Sequence, residues 1–232
     1  MTISTTISVL SAGSIEPGLV AAVGAYNALG KEQAQIIWAT APAICQHIAN
    51  GDIFDIVIAP DNVVDEFSRQ QKVAVGQRVP VGRVGVGVVA RSDVVVPDIS
   101  SVEALKQAVL NAESLVFNRA SSGLYIETLL RKLALTEQIQ EKTKRFDNGP
   151  AMMAHLIKGK GNEIAFGAII EILMFRDQGL KLVGPLPPDV QHWTRYFAAP
   201  MVATPNVTGA QSFLNYLATA PAKALFAAHG ID

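Results

Sequence analysis

The run Asp55-Ile56-Val57-Ile58-Ala59 carries no polar residue after its first position. A strand without polar alternation must be covered on both faces, as in a parallel sheet flanked by helices. The segments around it fit that demand. Ile7 to Leu10 predicts a strand that runs through Ser11-Ala12-Gly13-Ser14 into a helix from about Ile15 to Leu29, closed by Gly30. Gln35 to Ala39 predicts a second strand, Pro42 to Ala49 a helix stopped by Asn50-Gly51, and Asn62 to Gln71 a third helix. This βαβαβα order defines a doubly wound α/β unit.

A second α/β series follows a change of character at Val79 to Ala90. Valines there predict an extended segment, while Pro80, Gly82, Gly85 and Gly87 suggest a chain passing between bodies rather than a central strand. Beyond it the pattern predicts a helix from Val102 to Asn111, capped by Ser100 or Ser101, and a strand from Ser114 to Asn118. Then come helices at Leu124 to Leu135 and Pro150 to Lys158, a strand at Glu163 to Phe166, and an apolar helix from Ala168 to Asp177. A Gly/Pro-rich turn at Gly184 to Pro188 leads to a second extended crossing, Tyr196 to Ala203, and to two helices divided at Pro221. With 232 residues the chain is long enough for two such units. The expected organisation is lobe 1 from residues 1–82 with 199–232, and lobe 2 inserted as residues 83–198, each a doubly wound sheet, with two hinge crossings and a ligand cleft between them.

Composition limits what such a protein can bind. Lys and Arg number 19 against 20 Asp and Glu, for a net charge of −1. No global field attracts nucleic acid, so any anion must be met locally. The apolar runs are too short or too interrupted for membrane insertion. Cys45 is the single cysteine, and no pair of histidines has ligand-like spacing with acidic neighbours, so neither a metal site nor a cofactor is expected. The first basic residue, Lys31, comes too late for a secretory n-region. The sequence as it stands therefore reads as cytoplasmic, or as periplasmic if a leader has been removed.

Three strand-to-helix turns are rich in small hydroxyl residues: Ser11-Ala12-Gly13-Ser14, Ala39-Thr40-Ala41-Pro42 and Ala120-Ser121-Ser122-Gly123. Each leaves the carboxyl end of a predicted strand, where open α/β sheets bind ligands, and opens a helix whose first N–H groups lack internal partners. Hydroxyls, backbone N–H groups and the helix dipole together can hold an oxyanion or carboxylate without a lysine. Ordinary N-capping accounts for any one of these turns. Three at corresponding positions point to an anion.

Ser8-Val9-Leu10-Ser11-Ala12-Gly13-Ser14-Ile15, the Gln46-His47-Ile48-Ala49-Asn50-Gly51 segment leading to Ile56-Val57-Ile58-Ala59-Pro60-Asp61, and Arg78-Val79-Pro80-Val81 carry a family resemblance. They resemble the molybdate-binding type of bacterial solute-binding protein. Ser121-Ser122-Gly123-Leu124-Tyr125 is similar to a Ser-x-Ser-Gly-x-Tyr pattern in a divergent branch that includes aconitate isomerase. The resemblance implies a two-lobed type-2 periplasmic-binding-protein fold, a small anion as ligand, and an ABC transporter permease as partner if the chain is exported. It also implies ligand contacts at Ser11, Gly13, Ser14, Thr40, Ser121, Ser122, Gly123 and Tyr125. Where molybdate binders have serine in the second loop, this chain has Thr40 followed by Ala41-Pro42, one hydroxyl and one N–H fewer. After the late strand it has the apolar Gly167-Ala168-Ile169-Ile170.

Among charged residues, Arg119 immediately precedes the third turn and is a candidate carboxylate ligand, ahead of Arg83 and Arg195 at the crossings. His192-Trp193-Thr194-Arg195-Tyr196 joins aromatic walls to a titratable group. Gly-x-Ser-x-Gly and the phosphate-loop pattern are absent. Two functions fit these residues. One is binding of a small carboxylate or tetrahedral oxyanion. The other is isomerisation of an unsaturated polycarboxylate, with Tyr125 and His192 as candidate acid/base groups.

Overall fold

A computed structural model describes residues 6–30 and 32–232. The chain divides into two compact units, Met1–Val84 with Thr194–Asp232, and Gly85–Trp193. In chain order the elements are β1 (Thr6–Ala12), α1 (Glu16–Asn27), β2 (Gln33–Ala39), α2 (Ala41–Ala49), β3 (Ile56–Pro60), α3 (Asp61–Arg69) and β4 (Val79–Arg91). There follow α4 (Val102–Asn111), β5 (Ser114–Asn118), α5 (Ser121–Lys132), α6 (Thr136–Ile139), β6 (Thr143–Phe146), α7 (Gly149–Lys158), β7 (Glu163–Ala168) and α8 (Ile169–Met174). The chain ends with β8 (Leu180–Pro185), β9 (Trp193–Pro200), α9 (Val207–Leu217) and α10 (Ala220–Ala228).

In the first unit the strand order is β2-β1-β3-β9. β1 lies parallel to β2 and to β3, and β9 runs antiparallel to β3, with Pro60 opposite Tyr196. All five residues of β3 are buried, as its uninterrupted apolar run requires. Asp55 fastens the amino edge. Its buried carboxylate accepts from the Ser8 N–H and O–H, each at 2.8 Å, and from the Thr204 hydroxyl at 2.6 Å. On the helical side α1 approaches α10 closely at Gly18, where a Cβ would stand 2.6 Å from the Phe226 ring.

The second unit's sheet runs β8-β4-β7-β5-β6, with β7, β5 and β6 parallel and β4 antiparallel to both its neighbours. β5 shows why its sequence is apolar throughout. Leu115 and Phe117 point into a core shared with Leu105, Ile126 and Leu130 from α4 and α5. Val116 points the other way, into Met152, Leu156 and Ile172 from α7 and α8. Alternate residues thus feed opposite cores, and neither face is left to water.

The structure corrects two sequence expectations in this unit. Val79 to Ala90 is not merely a passage. It is β4, and from Gly87 to Val89 it lies between β7 and β8 as an inner strand. Its glycines make room for side chains laid across it: a Cβ on Gly87 would meet Ile169 at 2.8 Å and Leu182 at 2.9 Å. The segment expected as a turn from Gly184 begins inside strand β8. β6, Thr143-Lys144-Arg145-Phe146, was not foreseen, because a strand at the sheet's edge keeps charged residues that hide the apolar signal.

At the amino end of β7 the buried Glu163 gathers cations. Its carboxylate lies 3.0 Å from Lys144 Nζ, 3.2 Å from His155 Nε2 and 3.7 Å from Arg91 Nη1. Burial alone would raise the Glu163 pKa, yet the hydrogen bonds and charges of Lys144 and His155 hold it below the ordinary value of 4.5. A depressed carboxylate contributes stability above that value, and the contribution is lost as pH falls through the folded pKa. Glu163→Gln should cost about 1–3 kcal/mol in urea denaturation at pH 7, with the difference shrinking below about pH 4. Equal stability of variant and parent at pH 7 would contradict this reading of the cluster.

Candidate functional site

Parallel strands bring their carboxyl ends to one edge, and in the second unit the turn after β5 stands out there. Asn118, the last residue of β5, is fully buried. Its Oδ1 accepts the Ala120 N–H at 2.9 Å, closing a tight turn, while Arg119 N–H donates to Phe146 O at 2.8 Å. α5 then begins at Ser121 with no side-chain cap, and the first N–H to bond within the helix is that of Leu124, to Ala120 O at 3.0 Å. The N–H groups of Ser121, Ser122 and Gly123 come before that bond, at the positive end of the helix dipole. Gly123 lets the helix press this close, since a Cβ there would stand 1.8 Å from Asn118 O. The Asn118 amide nitrogen is buried without a hydrogen-bond partner among the described residues. Ser122 is buried and Ser121 half-buried.

The neighbouring helix of the same unit is satisfied differently. Asn148 caps α7 through the Ala151 N–H at 2.9 Å. The buried Glu171 carboxylate also lies against its first turn, where a Cβ on Gly149 would meet Glu171 Oε2 at 2.3 Å. The start of α7 therefore meets a side-chain cap and the carboxyl group of Glu171, whereas α5 starts without a side-chain cap.

In the first unit the carboxyl edge presents Ser11 at the end of β1, Gly13 and Ser14 just after it, and Thr40 after β2. Ser11 is fully buried and donates to Ala12 O at 3.2 Å. Gly13 has open space where a side chain would be. Ser14 is half-buried in the single turn Gly13–Ile15 that leads into α1. Thr40 behaves as an ordinary cap: its Oγ1 accepts the Ala43 N–H at 3.4 Å. A side-chain cap thus describes one of the three turns singled out in the sequence, while α1 and α5 start without one.

Tyr125 follows Ser121 by one helical turn. Its hydroxyl donates to Val190 O at 2.6 Å, burial pushes its pKa above the ordinary 10.0, and its ring stacks on His192 with centroids 4.3 Å apart and planes 13° from parallel. His192 is held on both sides by its backbone, its N–H donating to Gln191 Oε1 at 2.8 Å and its carbonyl accepting from Val86 N–H at 3.2 Å. Trp193, partly exposed, lies over Gly85, where a Cβ would stand 3.1 Å from the indole. Arg119 turns toward the end of β6 and donates to Asp147 Oδ1 at 2.9 Å. Arg83 lies 3.8 Å from the Asp232 carboxylate, and Arg195 is exposed. Among the described residues no three His, Cys, Asp or Glu side chains converge as a metal site needs, and no helix is long and apolar enough to cross a membrane.

Sequence reasoning passed over Asn118 and Glu171. The signal for Asn118 was a lone amide at the end of an otherwise apolar strand, directly before a small-residue turn. Glu171 left a comparable trace, a single acid in an apolar helix.

The family model for bacterial extracellular solute-binding proteins matches residues 7–232. The chain belongs to this family. The chain is 26% identical over 222 residues to an aconitate isomerase from a Pseudomonas species, covering 93% of this chain and 83% of that protein. Its fold is that of the periplasmic molybdate-binding protein of Azotobacter vinelandii, with a TM-score of 0.79, 16% identity, and coverage of 97% and 98% of the two chains. A sulfate-binding protein from Mycobacterium tuberculosis is similar too, with a TM-score of 0.76, 17% identity, and coverage of 98% and 86%. These likenesses establish the type-2 periplasmic-binding-protein fold for the solute-binding chain described above.

The contact between Gly123 and Asn118 sets how closely α5 meets β5. Gly123→Ala should therefore destabilise the protein by more than about 2 kcal/mol, measured by chemical denaturation, because a backbone carbonyl cannot step aside as a side chain can. A loss below 0.5 kcal/mol would show that the helix start is free to move.

Proposed function

We propose that this solute-binding protein takes a small carboxylate or tetrahedral oxyanion at the first turn of α5, where backbone N–H groups, the Ser121 and Ser122 hydroxyls and the Asn118 amide supply the donors. The observation that carries the reading is the contrast between two helix ends of one unit. Glu171 lies against α7, whereas α5 has no cap and borders a buried amide nitrogen without a partner. Donors of this kind bind an anion through dipoles rather than through net charge, which suits a chain of net charge −1. Ser11, Gly13 and Ser14 are proposed as the corresponding contacts of the first unit. Arg119, already engaged by Asp147, has a minor part. When exported, the chain would hand its anion to an ABC transporter permease.

A second reading is isomerisation of an unsaturated polycarboxylate. It draws support from the similarity to aconitate isomerase and from the His192–Tyr125 pair one turn along α5.

A thermal-shift panel of molybdate, tungstate, sulfate, citrate, cis-aconitate and trans-aconitate tests binding. At a hundred times its Kd the right anion should stabilise the chain by about 2.7 kcal/mol, and so raise Tm by roughly 5–10 °C. Ser122→Ala should weaken that anion about fivefold in calorimetric titration, the worth of one hydroxyl hydrogen bond. No shift with any of the six, or an unchanged Kd in the variant, would remove α5 from the site.

A further inference from the structure

The second unit holds a cavity on the far part of α5, away from its first turn. β6 is the edge strand of the sheet, and Thr143 and Arg145 share a face with Leu115 and Phe117, their partners on β5. Past the end of α5, Ala134 takes a left-handed φ of 56° and the chain turns into α6. Between α5, α6 and β6 a cavity of about 310 Å³ is left, at the lower end of the ~300–1,000 Å³ of small-molecule sites. Leu130, on its wall, lies nine residues beyond Ser121, about 14 Å along the helix.

The cavity joins an apolar wall to an excess of positive charge. Phe117, Leu130 and Ile139 supply the apolar part, each no more than 5% exposed. Glu127, Arg131 and Arg145 supply the charge. Arg145 Nη1 lies 3.0 Å from Glu127 Oε2, and Arg131 Nη2 lies 3.9 Å from Oε1 of the same carboxylate. Two guanidinium groups thus share one carboxylate, which leaves one positive charge in excess. Arg145 Nε is also buried without a hydrogen-bond partner among the described residues, so Glu127 does not satisfy that guanidinium in full. The guanidinium carbon of Arg145 sits 5.4 Å from the centre of the Phe117 ring. Ring and carboxylate hold the group in place ahead of any ligand, which lowers the cost of binding one.

We propose that this cavity is a second binding site, for a small carboxylate with an aromatic or branched apolar body. The body lies against Phe117, Leu130 and Ile139 and leaves water there. The carboxylate meets Arg145 and Arg131, whose planar, fork-like groups match its two oxygens. An uncharged analogue of the same shape makes only the first contact, and acetate makes only the second. The site draws nothing from the donors at the start of α5, so it stands whether or not that turn binds an anion.

Titration of the isotopically labelled protein with phenylacetate, phenylacetamide and acetate, followed through backbone amide chemical shifts, tests the site. Phenylacetate should saturate with a Kd of about 1 mM or tighter and should move the N–H groups of Leu130, Arg131, Ile139 and Arg145 most. Phenylacetamide and acetate should each bind at least about tenfold more weakly. Arg131→Gln should weaken phenylacetate about threefold, and Glu127→Gln, which removes the competing carboxylate, should tighten it by a similar factor. Opposite signs in the two variants separate a ligand contact from lost packing. No saturation up to about 10 mM, equal affinity for the amide, or movements confined to Ser121, Ser122 and Gly123 would each overturn the proposal. So would a weakening of phenylacetate by both variants alike.

Discussion

Backbone N–H groups at the start of a helix must find acceptors, and the doubly wound architecture gathers several such starts on one edge. Parallel strands deliver their carboxyl ends to that edge, and each helix leaving it points its positive end the same way. Within each unit the fold therefore aligns donors along one edge of the sheet before any particular side chain is specified. What distinguishes one helix from the next is how its donors are satisfied. Thr40 caps α2, Asn148 caps α7 with Glu171 lying against its first turn, and α5 starts from an alanine that offers no side-chain cap.

That last arrangement depends on packing some distance from the donors. Gly123 allows α5 to sit directly against the end of β5, and Asn118 closes the turn beneath it through the Ala120 N–H. The buried cores on both faces of β5 hold the strand rigid, so the helix start is positioned by the whole unit rather than by a flexible loop. At the opposite edge Glu163 draws Lys144 and His155 together. Its charge is thereby compensated at the far end of the sheet.

Much of this was legible in the sequence because both faces of the sheets are covered. Apolar runs such as Asp55 to Ala59 and Ser114 to Asn118 have no other use in a chain of this composition, and helix caps such as Ser101 announce their helices. Strands at the margins were harder to see. β6 keeps Lys144 and Arg145, and β8 ends in Gly184-Pro185, so neither shows the period of a buried strand. β4 was misjudged because its glycines answer to Ile169 and Leu182, residues far away in sequence.

At the site, the turn after β5 could be singled out from its small residues, yet sequence could not separate the cap at Thr40 from the open start of α5. That distinction depends on where a hydroxyl points and on a carboxylate, Glu171, brought in from another helix. The most direct test is a titration of the isotopically labelled protein with citrate, cis-aconitate or sulfate, followed through backbone amide chemical shifts. The account predicts the largest movements at the Ser121, Ser122 and Gly123 N–H groups, with Gly149 and Ala151 at the start of α7 little changed. Movements centred on α7, or spread evenly over exposed lysines and arginines, would contradict it.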